Sequence, residues 1–259
     1  MVKLKNYNVG IKYFVLFLTF MTCVSCKPKK FYVTRIEGKE IGITNQNKEV
    51  PAIEDFIKPY RDHIDKDLSR VLAFAPQTVD KSGEWQTPMG NLFSDVAFRK
   101  GNRIFKTREY KNIDLVLLNH GGIRSIIAKG DVTARTAYEI MPFENSLVVV
   151  AMKGAQIIEM IQYIIAEKKP HPLSGMTFTI AKDHTPKDIL IQGKPIDLET
   201  VYYVGTNDYL ANGGDNMLFF KKGLQRFDLD YKLRNILIDY FEEVDTIPMI
   251  TDTRITVEK

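Results

Sequence analysis

Cysteine is nearly missing from this 259-residue chain: there are 2, Cys23 and Cys26, both near the N-terminus. Beyond Cys26 there is no disulfide to staple the fold and no thiolate to bind a metal. Histidine is scarce as well, at 4, and His63, His120, His171 and His184 are scattered with no ligand spacing. No Asp-x-His, Gly-Asn-His or Gly-His-x-His element occurs. Phosphate-ester hydrolysis by two metal ions needs several His, Asp and Asn ligands around a bound water, and this chain offers no such set. A Gly-x-Ser-x-Gly nucleophile elbow is also missing. Charge of one sign is lacking too. The formal charge is +4, of which Lys3, Lys5 and Lys12 supply most, leaving +1 without them. Nothing in that balance favours nucleic acid or a bulk membrane surface.

Long apolar runs are absent apart from residues 13–22, which fall short of the roughly 20 residues of a comfortable membrane span. With the preceding lysines they have the form of a signal peptide. Val24-Ser25-Cys26 resembles the end of a bacterial lipobox, although Cys23 stands where a leucine-like residue is usual. The expectation is a leader over residues 1–25, a lipidated Cys26 and a polar tether over 26–49, with weak strands around 31–36. A plain secretory signal cleaved nearby is the alternative. Lys27 after Cys26 supplies no acidic retention signal, so the anchor is expected in the outer membrane of the cell envelope, facing the periplasm.

Residues 50–259 are long enough to bury one core without disulfides. Ile53, Ile57, Tyr60, Ile64, Leu68 and Val71 recur at helical spacing after Pro51, and a second helix is expected over 89–100 with Gly101 as its stop. A buried-type strand at 113–118 precedes a short helix at 133–140, a turn at 141–145 and a strand at 146–152. An amphipathic helix at 154–168 follows, then strands at 176–181, 189–192 and 201–205, a helix at 229–244 and a closing strand at 254–257. Helices and strands mix without a regular repeat, which predicts α+β: a single layered domain of mixed sheets covered by helices.

What the chain does have is two glycine loops at strand ends. Asn119-His120-Gly121-Gly122-Ile123-Arg124 follows the strand at 113–118, and Tyr209-Leu210-Ala211-Asn212-Gly213-Gly214-Asp215 follows the one at 201–205. Glycine lets backbone approach a ligand closely, and an arginine fork grips phosphate or carboxylate oxygens. Asn119 can donate and accept at once, or close the strand end as an Asx turn. Asp215 suits a sugar diol or a simple turn. Phe143 and Tyr209 sit beside turns, where two rings could sandwich a planar base, and Asn145 could read a base edge.

These loops, with Pro142-Phe143-Glu144-Asn145 between them and the strand–Lys153-Gly154–helix passage after Phe143, resemble the C-terminal, substrate-binding domain of the 5′-nucleotidase family. The resemblance covers roughly residue 50 to the C-terminus. It implies that Arg124 binds the substrate phosphate, Asn119 contacts the nucleoside, Phe143 and Tyr209 stack on the base, Asn145 touches its edge and Asp215 holds the ribose hydroxyls. Relatives often have Phe in place of Tyr209. They also carry a further arginine just before the segment matching Met89-Gly90-Asn91-Leu92. Residues 82–88 contain none, so Arg108 or Lys129 is expected to substitute.

The family's metallophosphatase domain has no counterpart here. The resemblance thus implies no catalytic residue and no cofactor in this chain, with two divalent metal ions in a separate metallophosphatase subunit. The ligand is a nucleoside 5′-monophosphate or related nucleotide, of undetermined base. A scavenging module that only binds nucleotides, or a structural surface lipoprotein with vestigial loops, are the alternatives.

Overall fold

The computed structural model describes residues 7–24, 31–44 and 47–258. Cys26, the expected lipidation site, lies outside them. The chain divides into two compact units, Met1–Ile53 and Glu54–Lys259. The first contains an apolar helix α1 (Tyr7–Val24). No described helix is long and apolar enough to cross a membrane. Residues 31–44 are exposed and irregular, so the weak strands expected there do not form. An extended segment with no neighbouring strand has no ladder to join.

Helix α2 (Pro51–Leu68) takes the place its stripe predicts, yet it buries none of its residues. It leads into β1 (Val71–Ala75), and then helix α3 (Pro88–Glu109), capped by the Thr87 side chain on the Gly90 N–H. Gly101 does not stop α3, which runs 22 residues. A Cβ there would come within 3.2 Å of Ile113 and closer still to Leu147, so this glycine lets the helix press onto the sheet. The helix ends instead at Tyr110, in the left-handed region at φ 56°.

Strands β2 (Leu115–Leu117) and β3 (Gly130–Thr133), helix α4 (Ala134–Ile140), strand β4 (Ser146–Lys153) and helix α5 (Gly154–Glu167) follow. Next come β5 (Leu173–Ser174), β6 (Met176–Ile180), β7 (Pro186–Ile191), β8 (Lys194–Pro195) and β9 (Val201–Asn207). The chain closes with α6 (Asp208–Ala211), β10 (Gln225–Lys232), α7 (Leu233–Glu243) and β11 (Ile255–Val257). The helix expected from residue 229 begins four residues later. Residues 225–232 pair with β4 from Gln225 on Ala151 to Lys232 on Ser146, and Phe227 and Leu229 are buried while Asp228 points out. That two-residue period belongs to a strand.

The central sheet runs β10-β4-β9-β2-β5, flanked by the four-stranded β11-β6-β7-β8 and the pair β1-β3. Strand β4 shows how it divides the core. Leu147, Val149 and Ala151 pack with α3 and α7, whereas Val148, Val150 and Met152 pack with α5. Alternate side chains of one strand thereby fill both layers, the α+β arrangement expected from the sequence.

Candidate functional site

Sheet topology gathers the three loops. Strands β2 and β9 are parallel, with Val116 beside Gly205, so both leave the sheet at one edge. Strand β4 is antiparallel to β9, with Leu147 beside Asn207, so the loop entering it reaches the same edge. Open sheets bind ligands outside the carboxyl ends of their parallel strands. A cavity of about 410 Å³ opens there, within the roughly 300–1,000 Å³ of small-molecule sites. Its lining includes all six residues singled out in the sequence: Asn119, Arg124, Phe143, Asn145, Tyr209 and Asp215.

Asp215 is the hub. Its Oδ2 accepts from Asn119 Nδ2 at 2.7 Å and its Oδ1 from the Tyr209 hydroxyl at 2.9 Å. The Tyr163 hydroxyl donates to the Asp215 carbonyl at 2.6 Å. The turn that carries it needs Gly213 at φ +86° and Asp215 itself at φ 50°. A Cβ on Gly214 would run into three ring carbons of Tyr209. Gly214→Ala should therefore displace that half-exposed ring and break its hydroxyl's bond to Asp215, with little change in melting temperature. A crystal structure of the variant beside thermal denaturation checks this; a ring left in place would show that the turn backbone yields instead.

Across the cavity Arg124 donates to the Gly121 carbonyl at 3.2 Å and lies 5.9 Å over the Phe143 ring. Phe143 and Tyr209 are 43% and 48% exposed, and neither stacks on another ring among the described residues. The 142–145 loop is tied from below: Arg234 bonds Glu144, Lys232 reaches the Glu144 carbonyl at 2.6 Å, and the Leu233 N–H reaches the Asn145 carbonyl at 2.9 Å. The Arg234 guanidinium holds the exposed Glu144 carboxyl below its ordinary range.

Two lining residues escaped the sequence reading. Asn207 is buried and caps α6 by accepting from the Leu210 N–H at 2.7 Å, and Met141 closes the floor. An Asn directly before a short helix is a cap signal, and it could have marked the residue. The proposed substitutes for the missing arginine are elsewhere. Arg108 bonds the Leu229 carbonyl at 3.1 Å, and neither it nor Lys129 lines the cavity. Trp85 packs against the α5-side core.

The first glycine loop is braced from behind by His171, whose Nδ1 accepts from the His120 N–H at 3.3 Å. Its proton must then sit on Nε2, which is buried without a partner. Burial, helped by His120, pushes the His171 imidazole down to about 4 from 6.5. Between those values the unfolded chain binds a proton that the folded chain excludes. The stability this group contributes is therefore complete above pH 6.5 and falls toward pH 4. Acidifying from about pH 7.5 to about pH 5 should cost on the order of 2 kcal/mol from this residue alone. Urea denaturation at both values checks it: His171→Gln should flatten the slope, and an unchanged slope would refute the buried neutral imidazole.

Among the described residues no three His, Cys, Asp or Glu side chains gather as a metal site. His120 and His171 meet, but through a backbone N–H. The donor set does not fit a pair of divalent ions, and no catalytic step can be assigned to these residues through them.

Known proteins match this arrangement. The model of the 5′-nucleotidase C-terminal domain matches residues 66–222. A cell wall protein of Listeria monocytogenes is 30% identical over 152 residues, 53% of this chain and 19% of its own length. The trifunctional nucleotide phosphoesterase of Bacillus subtilis is 23% identical over 207 residues, 73% of this chain and 14% of its own. The crystal structure of a 5′-nucleotidase precursor from Thermus thermophilus superposes with a TM-score of 0.67 at 25% identity, covering 80% of this chain and 42% of that one. The chain thus spans less than half the length of each. Family match, fold and the cavity at the strand ends agree, and the chain belongs to the 5′-nucleotidase C-terminal domain family.

Proposed function

We propose that this chain is the nucleotide-recognising component of a 5′-nucleotidase-type hydrolase, and that a separate dimetal phosphatase chain cleaves the ester it holds. One observation carries the proposal. Six residues from three distant segments, chosen for complementary chemistry, line a single cavity. Arg124 takes the phosphate at one end. Asp215 accepts from the ribose hydroxyls at the other, its carboxylate aimed by Asn119 and Tyr209. Phe143 and Tyr209 stack on the base, and Asn145 meets its edge. The described residues gather no group of three His, Cys, Asp or Glu side chains, which supports placing cleavage outside this domain. Export and lipid anchoring through Cys26 belong to the same proposal and rest on the leader sequence.

Calorimetry of the purified chain with AMP and adenosine tests recognition, with AMP expected to bind more tightly. No binding of either would defeat the proposal. Phosphate release is then followed with added divalent metal, with and without a metallophosphatase co-purified from the native envelope. Release by this chain alone would overturn the division of labour.

A further inference from the structure

Two cations stand at the Arg124 end of the cavity, and no carboxylate pairs with either among the described residues. Arg124 donates only to the Gly121 carbonyl. Half-buried Lys81 places one ammonium N–H on the carbonyl of Ile123, 2.5 Å away, the residue directly before Arg124. An ammonium has three donors, so two remain. The placement is built into the backbone. Val79 and Ile127 form an antiparallel bridge, with N–H···O bonds of 2.8 and 3.1 Å in the two directions. That bridge folds Lys81 back alongside the residues after Arg124. Lys81 does not itself line the cavity; its ammonium is held on the carbonyl of the residue that precedes Arg124, which does.

The two charges feel each other. Burial, and then repulsion from Arg124, draws the Lys81 ammonium below its ordinary value. Burial, and then Lys81, draws the His120 imidazole below its ordinary value. Like charges gathered without a counterion repel, and an anion placed between them reverses the sign. A singly charged ligand satisfies one cation only.

We infer that Lys81 and Arg124 together form a seat for a doubly charged phosphate, making Lys81 the residue that selects a terminal phosphomonoester over a phosphodiester. This rests on the nucleotide-binding role proposed above. A phosphomonoester carries about −1.5 to −2 charges at pH 7, whereas a diester carries one. Arg124, on the lining, supplies the fork; Lys81 adds a point charge with two free donors.

Calorimetry of the full chain with AMP, its methyl phosphodiester and adenosine tests this. The unaltered protein should bind AMP about tenfold more tightly than the diester. Lys81→Gln should abolish that preference and leave adenosine affinity unchanged, while Lys81→Arg should keep the preference. An AMP-to-diester ratio unchanged in Lys81→Gln would overturn the inference and leave the pocket standing. Equal losses for AMP and adenosine would also overturn it, showing that Lys81 only props the Ile123 carbonyl. Failure of the unaltered protein to bind AMP would remove the pocket and the inference together.

Discussion

Replacing Arg124 with alanine should weaken AMP binding by about 2 kcal/mol, or about 30-fold, and leave adenosine binding unchanged. The guanidinium is already positioned by the Gly121 carbonyl and the Phe143 ring, so little is lost in ordering it when phosphate arrives. A hydrogen bond between charged partners contributes about twice as much as a neutral one, and this end of the cavity holds no carboxylate to compete. Raising the salt concentration should shrink the gap between the unaltered and altered proteins, because the side chain is exposed and its field is screened. Titration with the two ligands at low and high salt gives the answer. Adenosine affinity falling in step with AMP would place Arg124 on the nucleoside, not the phosphate.

Asp215→Ala should have the larger effect and no selectivity between the two ligands. AMP and adenosine should both lose about 2–3 kcal/mol, roughly 30- to 150-fold, with their ratio preserved. The carboxylate has two tasks. On the proposed reading it accepts from the ligand's hydroxyls, and in the structure it holds Asn119 Nδ2 and the Tyr209 hydroxyl in place. Removing it deprives both neighbours of their acceptor and loosens one of the two rings expected to stack on the base. A 2′-deoxy ligand should show part of this loss with the unaltered protein and none of the additional selectivity with the variant. If Asp215→Ala weakened AMP alone, the ligand would lie the other way round. Taken with Arg124→Ala, this variant fixes the orientation: one substitution separates phosphate from nucleoside, and the other affects both alike.

Several parts of the fold were legible because their signal is local. The stripe of Ile157, Ile158, Ile161, Ile164 and Ile165 makes a helix with one apolar face, and all of them except half-buried Ile158 are buried in α5. Residues 147–152 make a strand apolar on both faces, as a central strand of a layered sheet must be. The boundary between β10 and α7 is ambiguous in the sequence because Leu229 and Leu233, four residues apart, equally suit one face of a helix. Only pairing with β4 settles the conformation of residues 225–232. Intrinsic propensity makes Gly101 a stop. Close packing against Leu147 overrides that propensity, since a residue without a side chain is what the contact requires.

The site divides along the same line. Paired glycines, an arginine at one loop's end and an aspartate at the other's are local facts, and the sequence alone determined them, together with the resemblance they carry. It also determined the scarcity of histidine and cysteine, and with it the poverty of metal ligands. Convergence of the loops was decided by the tertiary structure. It depends on β2 and β9 being parallel neighbours, with β4 antiparallel beside β9, and such pairings between distant segments leave no periodic trace in either strand. Asn207 at the cavity wall, His171 behind the first glycine loop and Lys81 beside Arg124 belong to that second class. His171 and Lys81 act through partners far away in the chain, whose distance is set by packing and not by sequence neighbours, whereas Asn207 caps its own helix and reaches the cavity only because β9 ends there.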